Sequence, residues 1–205
     1  MQLKHNIIKL YLLRGFLWFM LAMPIIVLFF QENGLTLMEV MILQSVYSFT
    51  IAITEIPSGY IADFFGRKNS LIFSTILTFC GYLIFSNFSS FEFFVCAQVI
   101  IASGGSLMSG ADSALMYDTL LEIKEEKQYT KIEGRTYGIG NFSEAIAGLL
   151  GGLLATSSLL LPIQIQTAVL FLCIPIAVSL VEPSIYKDNK LKNGFHTILK
   201  VVKFS

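Results

Sequence analysis

The chain has 205 residues, of which 55% are hydrophobic and 14% charged, with a mean hydropathy of +0.71. That is too apolar for a water-soluble domain of this size, and a formal net charge of zero supplies no basic surface for nucleic acid, so the chain reads as an integral membrane protein. Three cysteines in separate apolar stretches, and histidines at positions 5 and 196 near the two ends, offer neither a disulfide framework nor a metal-ligand cluster; no metal and no cofactor is expected.

Crossing the hydrocarbon takes about 20 apolar residues, and six segments reach that length. The first, 7–30, follows Lys4 and Lys9; it is too long for a signal peptide, lacks a small-residue cleavage site, and carries Arg14 and Pro24. A polar break at 31–36 precedes the second segment, 38–62. This one runs into Glu55-Ile-Pro-Ser-Gly-Tyr-Ile-Ala-Asp63-Phe-Phe-Gly66-Arg67-Lys68. A bilayer cannot hydrate irregular backbone, so residues 63–69 read as a short turn outside the hydrocarbon. Gly59 and Gly66 let the helix ends approach, and Arg67-Lys68 mark the cytoplasmic side.

These residues resemble the loop between helices 2 and 3 of the major facilitator superfamily, Gly-x-x-x-Asp-(Arg/Lys)-x-Gly-(Arg/Lys)-(Arg/Lys). Gly59, Asp63, Gly66, Arg67 and Lys68 match it, while Phe64 stands where the family prefers a cation. The resemblance implies a secondary transporter fold, of which this chain would be the N-terminal six-helix half.

The third and fourth segments, 70–88 and 91–121, are separated by Ser86-Asn-Phe-Ser-Ser90. Segment four carries Ala102, Ser106, Gly110 and Ala114 at a spacing that suits close helix packing, followed by Asp112 and Asp118. The run Ser109-Gly-Ala-Asp-Ser-Ala-Leu-Met-Tyr-Asp118 looks like a subgroup of prokaryotic transporters in the superfamily. In relatives an acidic group at the end of helix 4 pairs with the first loop cation, which implies an Asp118–Arg67 pair that, with Asp63, holds one conformation closed on the inside. The helix 4 arginine of many members has no counterpart between Gln98 and Gly105.

A charged stretch, 122–135, leads to segment five, 137–157, with Glu144 and the glycines Gly148, Gly151 and Gly152. Those glycines, after Gly134, Ser143 and Ala147, resemble the helix 5 motif of drug/proton antiporters, although Ala147-Gly148 replaces its Gly-Pro. The resemblance implies efflux only weakly, with simple close packing as the alternative. Segment six, 161–181, contains Pro175 and ends the expected six-helix bundle, 1–182. The remainder, 183–205, is expected to be a basic cytoplasmic tail, the start of the loop between halves, with an amphipathic surface helix from Lys187 on.

Both ends of the chain, the Arg67 turn and the 122–135 stretch are placed inside, which puts every Lys and Arg other than Arg14 at a cytoplasmic end and none in an external loop. The protein is thus expected in the plasma membrane of a prokaryote, multi-pass, with both termini cytoplasmic. Ionisable groups within spans are costly and ordinarily face a cavity or a partner. Arg14, Glu55, Asp112 and Glu144 all fall about 10 to 14 Å from the cytoplasmic ends, which predicts one shared polar layer. Three carboxylates against one guanidinium leave charge that a proton naturally compensates. Asp112 or Glu144 is therefore the candidate proton carrier, with Arg14 as counter-ion and Glu55 second, against the alternative of a static network.

The expected function is transport of a small solute by alternating access, proton-coupled, with the lipid bilayer and either a missing C-terminal half or a parallel homodimer as partners. A non-transporting scaffold or an inactive fragment is the alternative. An intramembrane protease is suggested only by Tyr117-Asp118, and both membrane aspartates lie on one helix, which argues against an enzyme. The substrate is not legible.

Overall fold

A computed structural model describes residues 3–184. The tail from residue 185, including the amphipathic helix expected from Lys187, lies outside the described residues. Among those described there is no strand. Eight α-helices follow one another: α1 (Lys4–Leu17), α2 (Ile26–Glu32), α3 (Leu37–Phe65), α4 (Arg67–Asn87), α5 (Phe91–Met108), α6 (Ala111–Glu122), α7 (Tyr129–Ala155) and α8 (Leu160–Ser179).

Among the described residues, five stretches are long and apolar enough to cross a membrane: α3, α4, α5 with α6, α7 with its preceding turn, and α8. The first expected segment is instead broken into the 14-residue α1 and the shorter apolar Met23–Glu32. The interruption at Trp18–Ala22 is tolerated because protein partners replace the lost helical bonds. Leu21 N–H donates to Gln166 Oε1 of α8 at 2.7 Å, and the Leu21 carbonyl rests against Gly151 of α7.

A second break divides the fourth segment at Ser109-Gly110, where Gly110 has φ +78°. Gly110 is exposed and packs against nothing. The four-residue ladder expected through it therefore holds at buried Ala102 and Ser106 and stops there. Close approach is made instead at Gly104, whose carbonyl accepts from Ser74 Oγ at 2.6 Å, and at Gly81, which faces Ile101 and the Ala97 carbonyl.

The turn expected over 63–69 is far tighter. Helix α3 continues through Asp63 to Phe65 and α4 begins at Arg67, leaving Gly66 alone between them at φ +106°. At the other end of α3, Thr36 and Glu39 form a reciprocal capping box.

Helix α4 packs mainly on α5 and α8, α3 on α5, and α1 on α7 and α8. Hydroxyls tie these helices together: Thr54 to Ser106 at 2.6 Å, Ser86 to Thr167 at 2.7 Å, and Ser143 to the Gly15 carbonyl at 2.8 Å. Two apolar clusters form the core. One centres on Leu13, Leu71, Leu115 and Leu120, the other on Phe29, Phe30, Phe85 and Phe94.

Of the helix 5 glycines, Gly151 is where a Cβ would run into backbone, while at Gly148 and Gly152 it would meet nothing within 4 Å. Gly151→Ala should therefore destabilise by about 1 to 3 kcal/mol through overpacking, and Gly152→Ala should leave stability unchanged or slightly raised. Thermal unfolding of the two purified variants side by side measures the difference; equal melting temperatures would remove Gly151 from the packing account.

Candidate functional site

Arg14 projects from α1 ten residues after Lys4, about 15 Å along the helix. Asp112 lies as far from the end of α6 at Glu122, and the two side chains meet in an ion pair, Arg14 Nη2 to Asp112 Oδ2, with 10% and 11% of their surface exposed. The other Asp112 oxygen accepts the Ser113 N–H at 2.8 Å. The guanidinium carbon stands 5.0 Å from the Tyr137 ring centre and 5.5 Å from that of Trp18, so aromatic faces take part of the place of water around the charge. Trp18 in turn packs against Gly140 of α7, where an added Cβ would come within 3.2 Å of the indole.

This pair lines a cavity of about 750 Å³. Its walls combine thioether and aliphatic groups (Met20, Met23, Ile26) with Tyr47 and Tyr82 and the amides of Gln44, Gln98 and Gln166. The size and the mix, apolar with a few convergent polar groups, are those of a small-molecule site. Behind the pair lies a void of about 10 Å³ bounded by Arg14, Asp112, Glu133 and Thr136, room for one water molecule.

The expected layer of three carboxylates and one guanidinium is only partly assembled. Arg14 and Asp112 meet, but Glu55 is exposed on α3 and Glu144 is half-buried on α7, and among the described residues neither carboxylate has an ion-pair partner. Glu144 misses the layer because α7 starts eight residues before residue 137, placing Glu144 about 22 Å along the helix. The same early start brings in a residue that hydropathy assigns to a loop. Glu133 accepts from Ser113 Oγ at 2.6 Å and lies close enough to Asp112 for the charges to interact.

A second polar cluster sits at the end of the bundle that carries the cations. Arg67 Nη1 is 2.9 Å from Asp118 Oδ2, whereas Asp63, 74% exposed, is 4.0 Å from Arg67. Glu182, just past α8, accepts the backbone N–H groups of Arg67 at 3.0 Å and Lys68 at 2.8 Å, so its carboxylate caps the start of α4. It also fills the space beside Gly66 that a side chain would need. Asn6 binds both backbone groups of Val181 and approaches Thr119 Oγ1. Lys4 pairs with Glu125 at 2.7 Å, and Lys9 donates to the Ser179 carbonyl. Gly59 is exposed with open space at its Cα. Asp112 and Asp118 thus serve different cations and do not face each other.

The family model described as Major Facilitator Superfamily matches residues 10–202, nearly the whole chain. The chain belongs to the major facilitator superfamily. No curated protein matches it in sequence. As a superfamily member it is a multi-pass membrane transporter rather than an enzyme. Within that family, the arrangement of Gly66, Arg67 and Asp118 gives the loop motif a physical content. The glycine makes a one-residue reversal, and the first cation after it stands 2.9 Å from Asp118 in the last turns of α6.

Proposed function

We propose that this superfamily member is a proton-coupled carrier of a small solute and that the chain supplies one six-crossing repeat of it. On this reading α1 and α2 together form the first crossing, bent at the Leu21 break. The basic end is cytoplasmic, since Lys4, Lys9, Arg67, Lys68, Lys124, Lys127, Lys131 and Arg135 gather there. Glu55 and Glu144, partly or wholly uncovered at mid-span, support a second repeat packing alongside. That repeat is either a further part of the protein or a parallel second copy.

The observation that carries the reading is the buried Arg14–Asp112 pair beside a solute-sized cavity. Both members of the pair line a cavity of about 750 Å³, where a solute can reach them. A carboxylate whose only cation partner also faces the cavity can exchange that partner for a proton whenever a solute engages the cation. Ser113 and Glu133 extend the polar path from Asp112 toward the basic end.

Full-length protein in liposomes loaded with a pH-sensitive dye tests this. Addition of a transported solute under an imposed proton gradient is expected to move protons, and Asp112→Asn is expected to uncouple the two, with Glu144→Gln as a control that retains coupling. Undiminished coupled flux in Asp112→Asn would reject Asp112 as the proton carrier.

A further inference from the structure

The geometry points to an amphipathic monocarboxylate as the solute class, bound by Arg14 in place of Asp112. This rests on the carrier reading above and adds the chemistry of the ligand. The argument is a count of unspent hydrogen-bonding capacity around the cavity. Asp112 has a partner on each oxygen, Arg14 on one and the Ser113 N–H on the other. Arg14 has five N–H donors, and one of them is engaged by Asp112; its Nε is buried out of reach of the cavity, so the donors left for a ligand are those of the terminal nitrogens.

A guanidinium fork matches a carboxylate in two parallel bonds, so the larger unmet demand on this wall is for an anion. The same sign appears at Gln166. Its Oε1 already accepts from Leu21 N–H, while its two amide N–H donors are unengaged among the described residues. A cationic solute would find the opposite situation. One face of each of Trp18 and Tyr137 is already taken by the Arg14 guanidinium, and each oxygen of the cavity carboxylate already accepts one bond, so fewer acceptor sites than Arg14 donors remain open. Beyond the pair, Met20, Met23 and Ile26 offer an apolar wall for a hydrocarbon body.

Exchange of one carboxylate for another fixes the sign of coupling. When the ligand takes Arg14, Asp112 is left buried beside Glu133 without its counter-charge, and a proton on Asp112 restores neutrality. Anion and proton therefore bind together, and an inward proton gradient drives uptake. The groups facing Asp112 are Arg14 from α1 and Glu133, Tyr129 and Tyr137 from α7; Tyr47 of α3 and Tyr82 of α4 border the same cavity.

Trp18 is the single tryptophan of the chain and lines this cavity, so its emission reports occupancy without a label. The probes are 6-bromohexanoate, 6-bromohexanamide and 6-bromohexylammonium, whose bromine quenches indole on contact, added to the full chain in nanodiscs. Saturable quenching by the carboxylate is expected, with the amide and ammonium weaker by about tenfold or more. Between about pH 8 and pH 6, where a free carboxylic acid stays ionised, affinity for the carboxylate is expected to rise as pH falls.

Arg14→Gln should abolish the preference for the carboxylate. Asp112→Asn should retain binding and lose its pH dependence, which keeps the test alive if Arg14→Gln does not fold. Preference for the ammonium or the amide, affinity that falls on acidification, or no quenching by any probe would each overturn the assignment. The carrier reading stands or falls separately, on the proton-flux measurement.

Discussion

Replacing Arg14 with Met should be among the most damaging single changes in the chain, costing about 3 to 5 kcal/mol, because it strands the buried Asp112 carboxylate. Replacing both partners, Arg14→Met with Asp112→Leu, should cost far less than the sum of the two single changes. The pair's attraction largely offsets the desolvation of its members, so removing both removes the penalty along with the bond. The two single variants should also differ in their response to pH. A stranded carboxylate is neutralised by a proton, so Arg14→Met should recover stability as pH falls; a stranded guanidinium has no such escape, so Asp112→Leu should not. Arg14 does keep the rings of Trp18 and Tyr137 when Asp112 is gone, a cation–π contribution of about 1 kcal/mol, which makes Asp112→Leu the milder variant near neutral pH. Thermal unfolding of the three variants across a pH series measures all of this. Additive costs in the double variant would show that the two side chains act independently of each other.

How much of this was legible in the sequence depends on what each residue reports. The spans from α3 to α8 and the gathering of cations at one end were legible because hydropathy and Lys/Arg position record contact with lipid and water directly. The resemblance at Gly66, Arg67 and Asp118 pointed to a pairing that spacing alone would not reveal, and the two side chains stand 2.9 Å apart. What hydropathy cannot record is where backbone bonds fail inside the bundle. The breaks at Trp18–Ala22 and Gly110 exist because α8 and α7 supply partners that lie more than a hundred residues away or because glycine tolerates a left-handed turn. Helix ends were misjudged for a related reason. Helices α3 and α7 run past the apolar stretch into polar sequence, which moved Glu144 out of the expected layer and Glu133 into the site. Glu182 gave no local signal, since its role is to cap a helix that starts 115 residues earlier.

At the basic end, Asp118→Ala should cost several-fold more than Asp63→Ala, although the resemblance couples both to Arg67. Asp63 is mostly exposed and 4.0 Å from Arg67, the kind of pair that contributes about 0 to 1 kcal/mol. Asp118 is 11% exposed and Arg67 21%, at 2.9 Å, so truncating either leaves a poorly hydrated charge and should cost about 2 to 4 kcal/mol, somewhat below the figure for a fully buried pair. Glu182→Gln should fall between, since it weakens two charge-assisted bonds to the start of α4 without leaving a charge behind. Arg67 and Glu182 both act on the first turn of α4, so their truncations should not add. The functional consequence is access. Ser70 is fully buried one turn beyond Arg67, and a cysteine placed there, in a chain whose Cys80, Cys96 and Cys173 are replaced, should resist a water-soluble maleimide. In an Asp118→Ala background the same cysteine should react several-fold faster, and in an Asp63→Ala background at the original rate. Equal rates in the two backgrounds would mean that the 2.9 Å pair does not hold this end of the bundle shut, and that Glu182 and Asn6, which join the segment after α8 to α4 and α1, are what closes it.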